Sequence, residues 1–69
     1  MIEGARKLKE WRVAEGLTQA EFGRQLGVSQ DQLSRWEGGA TTPRVRILFD
    51  IERLTSGAVP ASAWAERAA

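Results

Sequence analysis

The chain has 69 residues, 19 apolar side chains larger than Ala and neither Cys nor His, so it can build one small core without disulfides or thiolate metal sites. The commonest acid–base side chain and metal ligand is therefore missing, and the carboxylates are scattered without a paired constellation, which argues against an enzyme, a bound metal or a cofactor. No apolar run approaches the roughly 18 residues of a membrane span, and the charged stretch after Glu3 lacks a signal-peptide apolar region, so the expected location is cytoplasmic.

Residues 1–69 read as a single all-helical domain, a compact bundle of four to five short helices. The first is expected over about residues 4–14, with Ala5, Leu8 and Trp11 on one face and a stop near Gly16. The next two starts are the most specific signals. Thr18-Gln19-Ala20-Glu21 is a capping box: the Thr18 hydroxyl can accept from the Glu21 amide while the Glu21 carboxylate reaches back to the Thr18 amide. Leu17 and Phe22 form its hydrophobic staple. Eleven residues later the device recurs as Ser29-Gln30-Asp31-Gln32, with Val28 and Leu33 as the staple. Helices over about 19–26 and 30–37 follow, and only the tight turn Leu26-Gly27-Val28 separates them, with Gly27 supplying a residue tolerant of positive φ. That pattern is a helix-turn-helix.

The loop Gly38-Gly39-Ala40-Thr41 closes this unit. Thr42-Pro43 then offers an N-cap followed by proline at the first helical position, which predicts a fourth helix over 43–54 carrying Val45, Ile47, Leu48, Ile51 and Leu54. Thr55-Ser56-Gly57 ends it. A short helix over 60–67, bearing Trp64, is expected to fold back on the bundle.

On a helical wheel of residues 30–37, Leu33 and Trp36 point inward, while Gln30, Asp31, Gln32, Ser34 and Arg35 lie on or near the outer face. Amides and guanidinium groups read adenine and guanine edges bidentately, and a short helix can carry them into the major groove. Gln and Arg are equally at home on any solvated helix face, so the wheel alone leaves both readings open. The net charge of +1 hides an uneven distribution: residues 38–46 hold Arg44 and Arg46 and no acid. Such a pattern permits a local basic surface without a globally basic chain.

The segments Gly16-Leu17-Thr18-Gln19, Leu26-Gly27-Val28-Ser29-Gln30 and Leu33-Ser34-Arg35-Trp36-Glu37-Gly38, with Pro43, resemble the helix-turn-helix domain of phage repressors and Cro proteins and of related bacterial regulators of the xenobiotic-response-element type. The resemblance covers about residues 5–54, and the tail from Leu54 to Pro60 looks like the ending of small Cro-like members. It implies a lambda-repressor-like fold and a sequence-specific, double-stranded DNA-binding transcriptional regulator. Such a regulator binds a pseudo-palindromic operator as a homodimer, with helix 30–37 in the major groove. Gln30, Asp31, Gln32 and Arg35 then occupy base-facing positions, with Ser34 beside them, and Gln19 contacts a phosphate. Ser29, Thr42, and the Arg44 and Arg46 of the acid-free stretch are the further phosphate contacts expected. Helix N-termini, with free amides and a partial positive charge, suit Gln19 and the segment around Thr42 and Arg44 to that task.

Asp31 admits two roles: acceptor from a cytosine amino group, or stabilisation of the helix dipole from the first turn. Trp36 shares the inward face with Leu33 and reads as core, as do Trp11 and Trp64. The resemblance further implies that Arg12 pairs with Glu37 inside the domain. It departs from the family at Gly23, where Ala is usual, at a cost of about 1 kcal/mol in helix propensity. One helix-turn-helix of this size buries little surface on DNA alone, which favours a dimer, with residues 54–64 as its expected surface. The competing reading is an antitoxin-type protein-interaction module of the same fold, although only five residues follow Trp64 to wrap a partner.

Overall fold

The computed structural model describes residues 3–65. These form four α-helices, α1 (Glu3–Ala14), α2 (Gln19–Leu26), α3 (Gln30–Glu37) and α4 (Val45–Leu54), followed by a 3₁₀ turn at Ala61–Trp64, and the described residues contain no strand. Both capping boxes close in full. Thr18 Oγ1 accepts from the Glu21 amide at 3.0 Å while Glu21 Oε1 accepts from the Thr18 amide at 2.8 Å. The hydrogen bonds from Thr18 hold the exposed Glu21 carboxyl below its ordinary range. Ser29 Oγ accepts from the Gln32 amide at 3.1 Å, and Gln32 Oε1 from the Ser29 amide at 3.1 Å.

All four helices stop in the same way, with the backbone pattern of a Schellman motif. After α1, the Leu17 and Gly16 amides donate to the Arg12 and Val13 carbonyls. After α2, Val28 and Gly27 donate to Gly23 and Arg24; after α3, Ala40 and Gly39 to Arg35 and Trp36; after α4, Gly57 and Ser56 to Glu52 and Arg53. The left-handed residue that each motif needs is Gly16, Gly27 and Gly39 in the first three, but Ser56, with φ of 53°, in the last. The α2–α3 turn is so tight that a Cβ on Gly23 would sit 2.9 Å from the Val28 carbonyl oxygen.

One core joins all five elements. Ala5 and Leu8 of α1, Phe22 and Leu26 of α2, Leu33 and Trp36 of α3, Ile51 of α4, and Val59 and Trp64 of the tail are buried. Trp11 packs half-buried with its ring 5.3 Å from that of Phe22. The tail is fastened by polar groups as well as by burial. Thr55 Oγ1 accepts from the Val59 amide at 3.1 Å, and Glu52 Oε1 accepts from the Ala61 amide at 2.8 Å. Trp64 lies against Gly4, where an added Cβ would collide with the indole ring at 2.3 Å.

Two expectations are corrected. The fourth helix begins at Val45 rather than at residue 43, and Arg44, not Thr42, is its N-cap. Pro43 is buried and Arg44 stays extended (ψ 161°), so the first carbonyl to accept helical bonds is that of Arg44, from Ile47 and Leu48. The helix expected over 60–67 is a 3₁₀ turn of four residues, and positions 66 and 67 lie outside the described residues. Of residues 54–64, expected as a dimer surface, Val59 and Trp64 are core and Leu54 packs against it, while Ser56, Gly57, Ala58 and Ser62 are exposed.

Gly23→Ala separates helix propensity from this close approach. Propensity alone predicts a gain of about 1 kcal/mol, whereas the Val28 carbonyl must move to admit the methyl group. The expected thermal melt shows a transition at or below that of the parent chain, and a transition several degrees higher would overturn this account.

Candidate nucleic-acid interface

The outer face of α3 can act only if the helix is held at a fixed angle to the rest of the molecule, and a buried carboxylate does much of this. Glu37, in the last turn of α3, has a side chain only 2% exposed. Its Oε2 accepts from Arg12 Nε at 2.7 Å and its Oε1 from Arg12 Nη2 at 3.0 Å, a bidentate pair reaching across from α1. Gln19 Nε2, in the first turn of α2, donates to Glu37 Oε1 at 3.1 Å. Arg12 Nη1 donates to the Leu17 carbonyl at 2.8 Å. Three helices and the α1–α2 loop thus meet at one charge.

With α3 so placed, Leu33 and Trp36 are buried, while Gln30, Asp31, Gln32, Ser34 and Arg35 are all exposed on one polar surface. The Gln30 side chain makes no hydrogen bond among the described residues, and neither Arg35 nor Asp31 has an ion-pair partner among them, so these groups are available to an outside partner. Gln32 differs from its neighbours, since its carbonyl oxygen is spent on the capping box. Gln19, expected at a phosphate, has committed one of its two amide hydrogens to Glu37 and retains the other.

Ser29 and Thr42 are exposed, as are Arg44 and Arg46, which have no carboxylate partner among the described residues. Thr42, Arg44 and Arg46 border an open groove of about 650 Å³ between the α2–α3 turn, α3 and the start of α4, and Gln32 lines its opposite side. The start of α4 has no side-chain cap, so its first amides are free for an acceptor from outside. The structure therefore brings Gln32, Thr42, Arg44 and Arg46 together at one edge of the α3 face, and it sets Gln19 apart, beside Glu37.

Two features were not read from the sequence. The groove depends on how α4 leaves the loop, which no local pattern encodes. Val45 and Phe49, one turn apart on α4, are 66% and 58% exposed and form an unpartnered apolar pair. Phe49 carried a usable signal, because it falls off the stripe defined by Leu48, Ile51 and Leu54. Among the described residues no group of His, Cys, Asp and Glu converges as a metal site, and no helix is long and apolar enough to cross a membrane.

A family model for the helix-turn-helix, of Cro- and repressor-type DNA-binding domains, matches residues 8–56. The chain belongs to this family and is a DNA-binding helix-turn-helix regulator. No curated protein and no solved structure matches it.

The Glu37 cluster makes a quantitative demand. Arg12→Ala leaves a buried carboxylate without its cation, and the expected loss is about 3–5 kcal/mol in urea denaturation. Removing both partners in Arg12→Ala/Glu37→Ala should cost less than the sum of the two single changes, because no buried charge is left unpaired. Additive losses would mean that the pair is not coupled.

Proposed function

We propose that the chain is a sequence-specific regulator of transcription, of the Cro and repressor kind, that binds double-stranded DNA with α3 in the major groove. The observation that carries this reading is the α3 face itself: a capped, eight-residue helix whose buried side is apolar and whose exposed side presents Gln30, Asp31, Ser34 and Arg35. Arg35 suits a guanine edge and Gln30 an adenine edge, each as a bidentate partner. Asp31 fits a cytosine amino group and also stabilises the first turn of the helix. Arg44 and Arg46, with Thr42, Ser29 and the remaining amide hydrogen of Gln19, supply sequence-independent phosphate contacts that set the register. Such a regulator works at the nucleoid of a bacterial or phage-infected cell.

A single α3 covers too few base pairs for tight specific binding, and a pseudo-palindromic operator with half-sites about 34 Å apart matches a two-fold dimer. Val45 and Phe49 support a second copy as the partner. A two-fold contact presents the same patch from both sides, and these two side chains are the exposed apolar pair on α4. Capture of this patch by an unrelated protein, as in an antitoxin, is the competing outcome, and contact through residues 54–64 is the alternative dimer surface.

Two experiments test this reading. Selection from random duplexes at physiological salt should enrich an inverted repeat. On that operator, Arg35→Ala and Gln30→Ala should each relax preference at particular base pairs by about 1–3 kcal/mol, whereas Arg44→Ala should weaken all sequences alike and lower the salt slope. Equal, sequence-independent losses from all three would sink the assignment of α3 as reader. Separately, Phe49→Glu should leave the melting transition near that of the parent, because the ring is largely exposed, and should convert a dimer to a monomer in sedimentation. A dimer that survives the change would place the second copy elsewhere.

A further inference from the structure

Gln32 stands among the exposed residues of α3, yet its amide is not free to turn. The Ser29 backbone N–H lies 3.1 Å from one terminal atom of the Gln32 side chain. A backbone N–H can only donate, so the atom facing it must be the carbonyl oxygen, and the hydrogen-bond pattern thereby fixes the orientation of the amide. The Gln32 Nε2 group points away with no partner among the described residues. Reading adenine takes both halves of an amide, oxygen to N6 and nitrogen to N7. Gln32 offers only the donor half.

What lies around that donor is basic. Gln32 lines the groove bordered by Thr42, Arg44 and Arg46. The one carboxylate there, Asp50, is engaged by Arg53 Nη2 at 2.9 Å, which offsets its charge. An amide donor, a hydroxyl and two guanidinium groups around one groove fit an oxyanion.

We infer that Gln32 contacts a backbone phosphate of the DNA duplex rather than a base, seating it in the groove with Thr42, Arg44 and Arg46. Ser29 acts as a positioning residue, because its cap holds the Gln32 amide with nitrogen outward. Base reading then falls to Gln30, Asp31, Ser34 and Arg35. The inference rests on the DNA-binding reading given above and redistributes the tasks of the α3 face.

Gln32→Glu tests it in the full chain on the selected operator. Glu is the usual reciprocal partner in a capping box, as Glu21 is for α2, so the variant keeps its fold but loses the donor. Gln32→Ala removes the donor without adding charge, and Gln25→Glu places the same charge on the exposed surface of α2, outside the groove. The expected result is a melt for Gln32→Glu close to that of the parent, and a loss of about ten-fold in affinity for every duplex from both Gln32 variants. The ranking of base preferences should not change, and Gln25→Glu should bind within about three-fold of the parent. A changed preference at one base pair would make Gln32 a base reader and overturn the inference. So would parent-like binding by Gln32→Ala. A parent chain that binds no duplex at all would instead remove the DNA-binding reading itself.

Discussion

The buried carboxylate of Glu37 is the constraint on which the rest of the molecule depends. An ionised group with 2% of its side chain exposed is tolerable only when its lone pairs are filled, and Arg12 and Gln19 fill them from α1 and α2. Arg12 in turn gives a third hydrogen bond to the Leu17 carbonyl, directly after the turn that ends α1. Displacing any one of α1, α2 or α3 leaves a charge or a donor unmatched in a dry environment. Apolar contacts among Leu8, Phe22 and Leu33 supply the larger share of stabilisation, but they are non-directional and tolerate small rotations. The bidentate pair does not, because both of its hydrogen bonds require the planes of the two groups to align. The angle of the reading helix is thereby tied to a charge rather than to packing alone.

A chain of this size has few residues for turns, and it meets that restriction by ending every helix with one device. Each Schellman motif satisfies otherwise orphaned carbonyls and reverses the chain within two or three residues. Gly23 shows how far the compaction goes, with the backbone of Val28 against the space a side chain would need. Past α4, where apolar side chains are fewer, Thr55 and Glu52 hold the tail through its backbone amides, and Val59 and Trp64 then complete the core. The tail is part of the core and not an appendage.

On α3, polar residues divide between holding the helix and facing outward. Ser29 and Gln32 are paired with each other, Glu37 is paired inward, and the side chains of Gln30, Asp31, Ser34 and Arg35 make no hydrogen bond or ion pair among the described residues that would have to break before a partner is engaged. Surface side chains left without internal partners pay rotamer entropy on binding, but the backbone beneath them is already fixed by a cap at each end. The arginines at the start of α4 extend the same face with positive charge, and they sit where the loop after α3 delivers them.

Much of this was legible locally. The bounds of α2 and α3 follow from the two capping boxes and from Gly27, because capping is chemistry between residues three positions apart and needs no knowledge of the fold. The inward and outward faces of α3 follow equally from helical periodicity, as the burial of Leu33 and Trp36 beside exposed Gln30 and Arg35 illustrates. The Arg12–Glu37 pair, 25 residues apart, was reached through family resemblance and not through any spacing rule. Other features were decided only when the elements packed. Pro43 is a good first helical residue by local rules, but tertiary contact buries it in the loop and delays α4 to Val45. The fate of the Gln32 and Gln19 amides, the groove beneath Arg44 and Arg46, and the exposure of Phe49 likewise arise from tertiary geometry. The sequence by itself determined where α2 and α3 begin and which side of α3 is apolar, since those depend on interactions within a turn or two. Only the tertiary structure decided which polar atoms remain free, since that depends on groups far apart in the chain competing for the same partners.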